Sequence, residues 1–291
     1  MLKLRIITAL CLVPVVLAAM FFLPLTYFSL FAGGVFLLAA FEWGRFIDAE
    51  RSSVFMVSLA LVLFGLMGVV PIEHIWSAEA GPNTLANGLY KYAAWLLSAG
   101  AVWWLVALGM VVSFPRSSAL WRENPATKAM CALFSLVPFY FALLALRSYQ
   151  YDVDTYYGAW LLLFVMSLVW VADTGAYFAG KAFGKRKLCP NVSPGKTLEG
   201  MLGGVVAATV LAVIVTQSVN LAPGQSQVLL IASVVAVLAS VLGDLTESMF
   251  KREAGLKDSG SILPGHGGIM DRIDSLTAAL PVFVVVVWLL G

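Results

Sequence analysis

Residues 158–180 read GAWLLLFVMSLVWVADTGAYFAG, a stretch whose only formal charge is Asp173. At ~1.5 Å per residue, such a run crosses a hydrocarbon core of ~30 Å as a helix. Its apolar residues are continuous rather than alternating, which argues for a helix and against a barrel strand. The rest of the chain agrees. Of 291 residues, 61% are apolar and 12% charged, about half the charged share of an ordinary globular chain. There are too few polar residues to shell a soluble protein of this length. Disorder is excluded as well, because disordered chains are poor in apolar residues.

Working outward from this run gives an all-α polytopic membrane protein with about nine spans. They are expected near 5–23, 25–41, 53–71, 93–112, 129–146, 158–180, 201–219, 227–250 and 273–290. Pro24 separates the first two, which predicts a helical hairpin; a re-entrant pair is the alternative. Lys3 and Arg5 before an apolar run resemble the start of a signal peptide. The run continues past Ala19 and every later segment is membrane-like, so a retained first span is expected. Cys11, Cys131 and Cys189 show no ligand spacing and read as small hydrophobes or are left without a role. No internal repeat is evident.

Charge placement predicts the orientation. With the N-terminus inside, sixteen of the 18 Lys and Arg residues fall on inner connections, and only Lys91 and Arg147 fall outside. That asymmetry favours a cytoplasmic N-terminus and an external C-terminus. The outer segments 72–92 and 147–157 are short and carry the acids Glu73, Glu79, Asp152 and Asp154. We divide the chain into 1–150, holding spans one to five, and 151–291. The second part carries the chemistry, with cytoplasmic loops 181–200 and 251–272. The expected location is the inner membrane of a bacterium, with the site facing the cytoplasm.

The most polar stretch runs from Ser248 to Asp274, SMFKREAGLKDSGSILPGHGGIMDRID. Asp271 and Asp274 are three apart at the start of the last span and share a helix face. Asp244 ends the preceding span, and the loop can fold it back beside them. Carboxylates from two helix ends suit Mg²⁺, a hard cation that takes a few carboxylates together with phosphate oxygens. The plainer account, in which Asp271 caps the last helix, leaves Asp244 and Asp274 unexplained. Pro264 to Gly268 form a turn before a helix N-terminus. Gly267 and Gly268 there offer backbone N–H groups to phosphate oxygens. Lys251, Arg252, Lys257 and Arg272 can neutralise a polyphosphate, although the positive-inside rule accounts for Lys251 and Arg252 almost as well. His266 can orient a phosphate or shuttle a proton.

A second constellation lies upstream. Asp173 sits where hydrocarbon is expected, at a cost of ~2.5–3.5 kcal/mol or more, and is a functional candidate by default; a polar helix-packing contact is the plainer reading. The loop after it runs NVSPGKTLEG from Asn191 to Gly200. Gly195-Lys196-Thr197 is reminiscent of a phosphate-binding loop, but Pro190 occupies the first glycine position and no strand is expected before it. A nucleotide P-loop is therefore rejected. A basic and hydroxyl-bearing segment, with Ser193, Lys196 and Thr197 touching a nucleotide or lipid phosphate, remains.

At these residues the chain resembles the phosphatidate cytidylyltransferases, also called CDP-diacylglycerol synthases. Ser248, Phe250, Lys251, Arg252, Lys257 and Asp258 match that family's signature, as do the His266-Gly267-Gly268 turn and Asp271-Arg272-Ile273-Asp274. The likeness covers roughly 170–274, and the first 150 residues match in hydropathy alone. It implies transfer of the cytidylyl group of CTP to phosphatidate, giving CDP-diacylglycerol and pyrophosphate in phospholipid biosynthesis. Asp244, Asp271, Asp274, Lys257 and Arg272 would then be catalytic. Lys251, Arg252, His266, Gly267, Gly268, Ser193, Lys196, Thr197 and Asp173 would bind nucleotide or lipid phosphate. It also implies Mg²⁺, alone or beside a second cation, and suggests a homodimer. Membrane lipid is an expected partner and nucleic acid is not. The competing readings are a CTP-dependent polyprenol kinase and, from another class, an ion-coupled transporter using Asp173. A CDP-alcohol phosphotransferase is rejected, because its Asp-Gly-x-x-Ala-Arg pattern is absent.

Overall fold

The computed structural model describes residues 2–72, 75–76, 89–219 and 221–291; Glu73 and Glu79 of the expected outer loop lie outside them, as do the side chains of Lys3 and Arg5. Among the described residues it contains helices α1 (Leu2–Phe22), α2 (Leu25–Ile47), α3 (Ser52–Met67), α4 (Lys91–Val112) and α5 (Pro125–Ser148). They are followed by α6 (Tyr157–Phe183), α7 (Leu198–Ser218), α8 (Gln225–Glu253) and α9 (Met270–Leu290). Each expected span is met by a helix. Among the described residues, eight segments are long and apolar enough to cross a membrane; in α1 the apolar stretch Leu10–Phe22 is shorter.

Three helices outrun the expected spans in a way that matters. At ~1.5 Å per residue, the 29 residues of α8 make a rod longer than a bilayer core is thick. Its last turns, which carry Lys251 and Arg252, form the charged end of that rod. Helices α2 and α6 likewise extend past 41 and 180. The extension of α2 carries Glu42 and Arg45 on the helix instead of in a connection.

One part of the polar loops departs from the all-helical expectation. Residues Lys187–Cys189 (β1) and Ser193–Thr197 (β2) form a two-stranded antiparallel hairpin, with Lys187 opposite Thr197 and Cys189 opposite Ser193. The expectation that no strand precedes Gly195-Lys196-Thr197 is thus corrected, while the glycine spacing still fails. The hairpin is closed by side chains: the Glu199 carboxylate accepts from the Lys185 and Arg186 amides. Thr197 ends β2 and caps α7, its Oγ1 accepting from Gly200 N at 3.1 Å.

Helices α5 and α9 form the centre and are mostly buried, whereas α3 and α7 are mostly exposed. The latter two show the outside of the bundle their apolar side chains, as a lipid-facing helix must. One apolar core joins residues of α2, α4, α5, α8 and α9. Helices α6 and α7 pack through small residues, which lets their backbones approach without large side chains intervening. A Cβ on Gly204 would meet the carbonyl of Ala172, one residue before Asp173.

Candidate active site

Hydrogen bonds gather the connections expected on the inner side at one end of the bundle. Lys128 Nζ, at the start of α5, donates to Phe46 O at the end of α2. Asn191 Nδ2 in the hairpin donates to Phe114 O after α4. Arg252 Nε, at the end of α8, donates to Val192 O, and Thr8 Oγ1 of α1 donates to Pro264 O. Arg147, from the expected outer set, is buried elsewhere. Its guanidinium donates to Met20 O, Leu23 O and Thr155 O, around the α1–α2 connection and the start of α6.

A cavity of about 510 Å³ opens between α6, α7, α8 and the hairpin, and Asp173, Lys196, Thr197 and Asp244 line it. Three separate segments thus bring polar groups to one space. Lys196 Nζ, from β2, sits 2.6 Å from Asp244 Oδ2 of α8, and Asp244 Oδ1 accepts from Ser248 one turn later. Asp173, on α6, lies within electrostatic reach of both. An apolar cavity of about 630 Å³ between α4, α8 and α9 adjoins the first and shares Leu188, Met201 and Val241 with it.

A second charge cluster lies at the α8–α9 junction. Lys251 Nζ bridges Glu247 Oε2 at 2.6 Å and Asp271 Oδ1 at 2.7 Å. Its side chain is 14% exposed, against 0% and 6% for the two acids. The i, i+4 spacing of Glu247 and Lys251 places them on one face of α8. The second Asp271 oxygen accepts from Ser259 N at 3.0 Å and Gly268 N at 2.8 Å. Both ends of the polar loop are thereby drawn onto one carboxylate. Gly267 reaches this geometry with φ of 81°, open to glycine at little cost. Asp274 links the clusters, because its charge interacts with those of Asp244, Glu247 and Lys251. The close approach of α8 and α9 at Gly243, which abuts the Asp274 carbonyl, brings it there.

The candidate residues therefore separate by environment. Asp173, Lys196 and Asp244 meet at the cavity. Lys251 and Asp271 are committed to each other and to backbone groups. Thr197 is largely spent on capping α7. Lys257 and Arg272 are exposed and, among the described residues, have no ion-pair partner. Arg252 is exposed and ties the α8 end to the hairpin. His266 is half-buried, and its Nδ1 has no hydrogen-bond partner among the described residues. Ser193 opens β2 opposite Cys189.

Two acids escaped the sequence reading. Glu247 is buried and pairs with Lys251; the i, i+4 spacing to Lys251 was the available signal. Glu42 is wholly buried on α2. An acid embedded in FLLAAFEWGRF was signal enough, but a span ending at 41 left it on the boundary.

Among the described residues, no three His, Cys, Asp or Glu side chains converge as a ready metal cage. Both oxygens of Asp271 have partners, as do both of Asp244. The charge balance nonetheless suits a cation. Five neighbouring carboxylates (Asp173, Asp244, Glu247, Asp271 and Asp274) have, among the described residues, Lys196 and Lys251 as their ion-pair partners. Such a gathering of acids suits a divalent ion and positive groups of the protein alike.

Comparison with known proteins covers the whole chain. Residues 3–290 match the model of the Cytidylyltransferase family. A phosphatidate cytidylyltransferase of Haemophilus influenzae is 45% identical over 288 residues, 97% of each chain. One of Pseudomonas aeruginosa is 41% identical over 291 residues, covering 100% of this chain and 98% of the relative. One of Staphylococcus haemolyticus is 33% identical over 245 residues, 78% of this chain and 92% of its own.

Proposed function

The chain belongs to the phosphatidate cytidylyltransferase family and makes CDP-diacylglycerol from CTP and phosphatidate, and on that premise we propose that the two substrates meet at the cavity bounded by Asp173, Lys196 and Asp244. The observation that carries this reading is that cavity's double character. Its polar wall lies where the charged loops gather, and it adjoins an apolar cavity between α4, α8 and α9. Phosphatidate has one end of each kind. We place its phosphate beside Lys196 and an acyl chain along the apolar space.

In the reaction, a phosphate oxygen of phosphatidate attacks the α-phosphorus of CTP. The bond from that phosphorus to the bridging oxygen of the β-phosphate breaks, and the electron pair leaves with pyrophosphate. The attacking group is an anion, so no general base is needed and His266 is given no such role. What the site must supply is position and charge for two mutually repelling reactants. Lys196 faces the lipid phosphate, while exposed Lys257 and Arg272 face the triphosphate. Asp271 holds the loop between them by gathering the Ser259 and Gly268 amides. Asp244 and Asp274 would hold Mg²⁺, which neutralises phosphate oxygens and stabilises a departing pyrophosphate when bound. We place this end of the bundle in the cytoplasm, as the Lys and Arg distribution favours.

The kinase and transporter readings are set aside, since full-length relatives carry the transferase name. The site assignment is tested with purified protein, phosphatidate and CTP labelled at the α-phosphate. Label should enter lipid, and Lys196→Ala and Asp244→Asn should each lower turnover roughly 100-fold or more in protein that remains folded. Wild-type turnover in both variants would place the reaction elsewhere.

A further inference from the structure

The polar loop between α8 and α9 is held by a residue of the N-terminal half. Helix α9 begins at Met270, and its N-cap, Ile269, offers no side-chain hydrogen bond. The first N–H groups of a helix need acceptors, and the helix dipole favours a negative one. Glu42, far away in sequence on α2, provides it. Its Oε1 accepts from Ile269 N at 3.0 Å and its Oε2 from Met270 N at 2.8 Å. Oε2 also accepts from Ser259 Oγ at 3.0 Å. One turn further along α2, Arg45 Nη1 donates to Ser259 O at 2.7 Å.

Glu42 is wholly buried, and among the described residues it has no ion-pair partner. A buried carboxylate costs several kcal/mol unless hydrogen bonds compensate it, so the three donors are what keep it there. The loop is shaped to admit it. A Cβ on Gly260 or Gly268 would run into the Glu42 carboxylate. The segment from Ser259 to Met270 is therefore clamped between two acids, Glu42 on one side and Asp271 on the other. That segment contains His266, and the clamp's far end is the start of α9, whose first turn carries Asp271 and Arg272, with Asp274 following in the next.

We propose that Glu42 is a positioning residue for the transfer, acting through this segment to set where the carboxylates and basic groups of α9 meet the nucleotide. The inference rests on the loop being the nucleotide's wall of the site. It gives the N-terminal half a part in the chemistry through α2.

The test uses the full-length protein in detergent or nanodiscs. Glu42→Gln keeps the size of the side chain and weakens its acceptors. The amides of Ile269 and Met270 should exchange hydrogen roughly tenfold faster or more, and KM for CTP should rise roughly 10–100-fold. KM for phosphatidate should stay close to wild type, and Glu42→Ala should be worse than Glu42→Gln. If these variants fail to fold, Ser259→Ala and Arg45→Ala each remove one clamp contact and should shift both readouts in the same direction. Unchanged amide exchange overturns the inference, as does faster exchange with wild-type CTP kinetics. Asp271→Asn is measured alongside. If it is inactive while Glu42→Gln behaves as wild type, this inference alone falls. If it is fully active, the nucleotide-wall reading falls and takes the inference with it.

Discussion

Lys251 lies between two almost fully enclosed carboxylates. Removing it leaves Glu247 and Asp271 buried with no counter-charge. Breaking such a pair from one side costs ~3–5 kcal/mol. Lys251→Met should therefore lower the thermal unfolding midpoint in detergent clearly, whereas Lys257→Met, at an exposed position, should leave it within a degree or two and raise KM for CTP. A reversed pattern would return Lys251 to the substrate. The aspartates divide along the same line. Asp271→Asn and Asp274→Asn should both remove activity in folded, membrane-inserted protein, but for different reasons. Asp274→Asn and Asp244→Asn should raise the Mg²⁺ concentration needed for half-maximal binding of the nucleotide. Asp271→Asn should leave that requirement near wild type and loosen the loop amides, which hydrogen exchange would report.

At the scale of elements, the cavity depends on how closely α6 and α7 approach. Gly204 meets the Ala172 carbonyl in the turn that presents Asp173. Gly204→Val should push the helices apart, shift Asp173 from Lys196 and cut turnover by at least tenfold. Gly65→Ala on α3, where a Cβ meets nothing within 4 Å, should be silent in the same assay. The hairpin offers a milder test. Thr197→Ala deletes the α7 cap at a cost of ~1 kcal/mol, so its effect should appear first in stability. The residues of this stretch that suggested a phosphate loop thus perform separate tasks: Thr197 starts a helix, and Lys196 reaches Asp244. Nothing in the spacing of Gly195-Lys196-Thr197 could have revealed that division, because it follows from the strand pairing.

Across the whole molecule, the bundle sorts its charged connections to one end and ties the opposite end together with Arg147. Replacing Arg147 with Leu leaves the buried Met20 carbonyl, and the less enclosed Leu23 and Thr155 carbonyls, without their guanidinium donor. A cost on the order of 3 kcal/mol should follow, read as a lower unfolding midpoint with CTP kinetics little changed in the folded fraction. The orientation is checked by placing single cysteines on a background lacking Cys11, Cys131 and Cys189. A cysteine at Lys185 should resist a membrane-impermeant thiol reagent in intact spheroplasts, and one at Asp154 should react. The opposite labelling would invert the bundle and move the site to the outer face.

The class of protein and the order of the spans, to within a few residues, were legible from hydropathy alone, as was the place of the polar stretches. They were legible because hydrocarbon leaves little choice: a long apolar run has to be a helix, and each departure from apolarity stands out. The sequence also placed Asp271 and Asp274 on one helix face, which follows from the helical repeat. Only the tertiary structure decided which charges neutralise one another. Lys196 joins Asp244, Lys251 joins Glu247 and Asp271, and Glu42 caps a helix more than two hundred residues away. Those pairings arise where different helices end side by side. Helix ends are set by packing and caps as much as by hydropathy, so a boundary drawn at 41 instead of 47 was enough to hide Glu42.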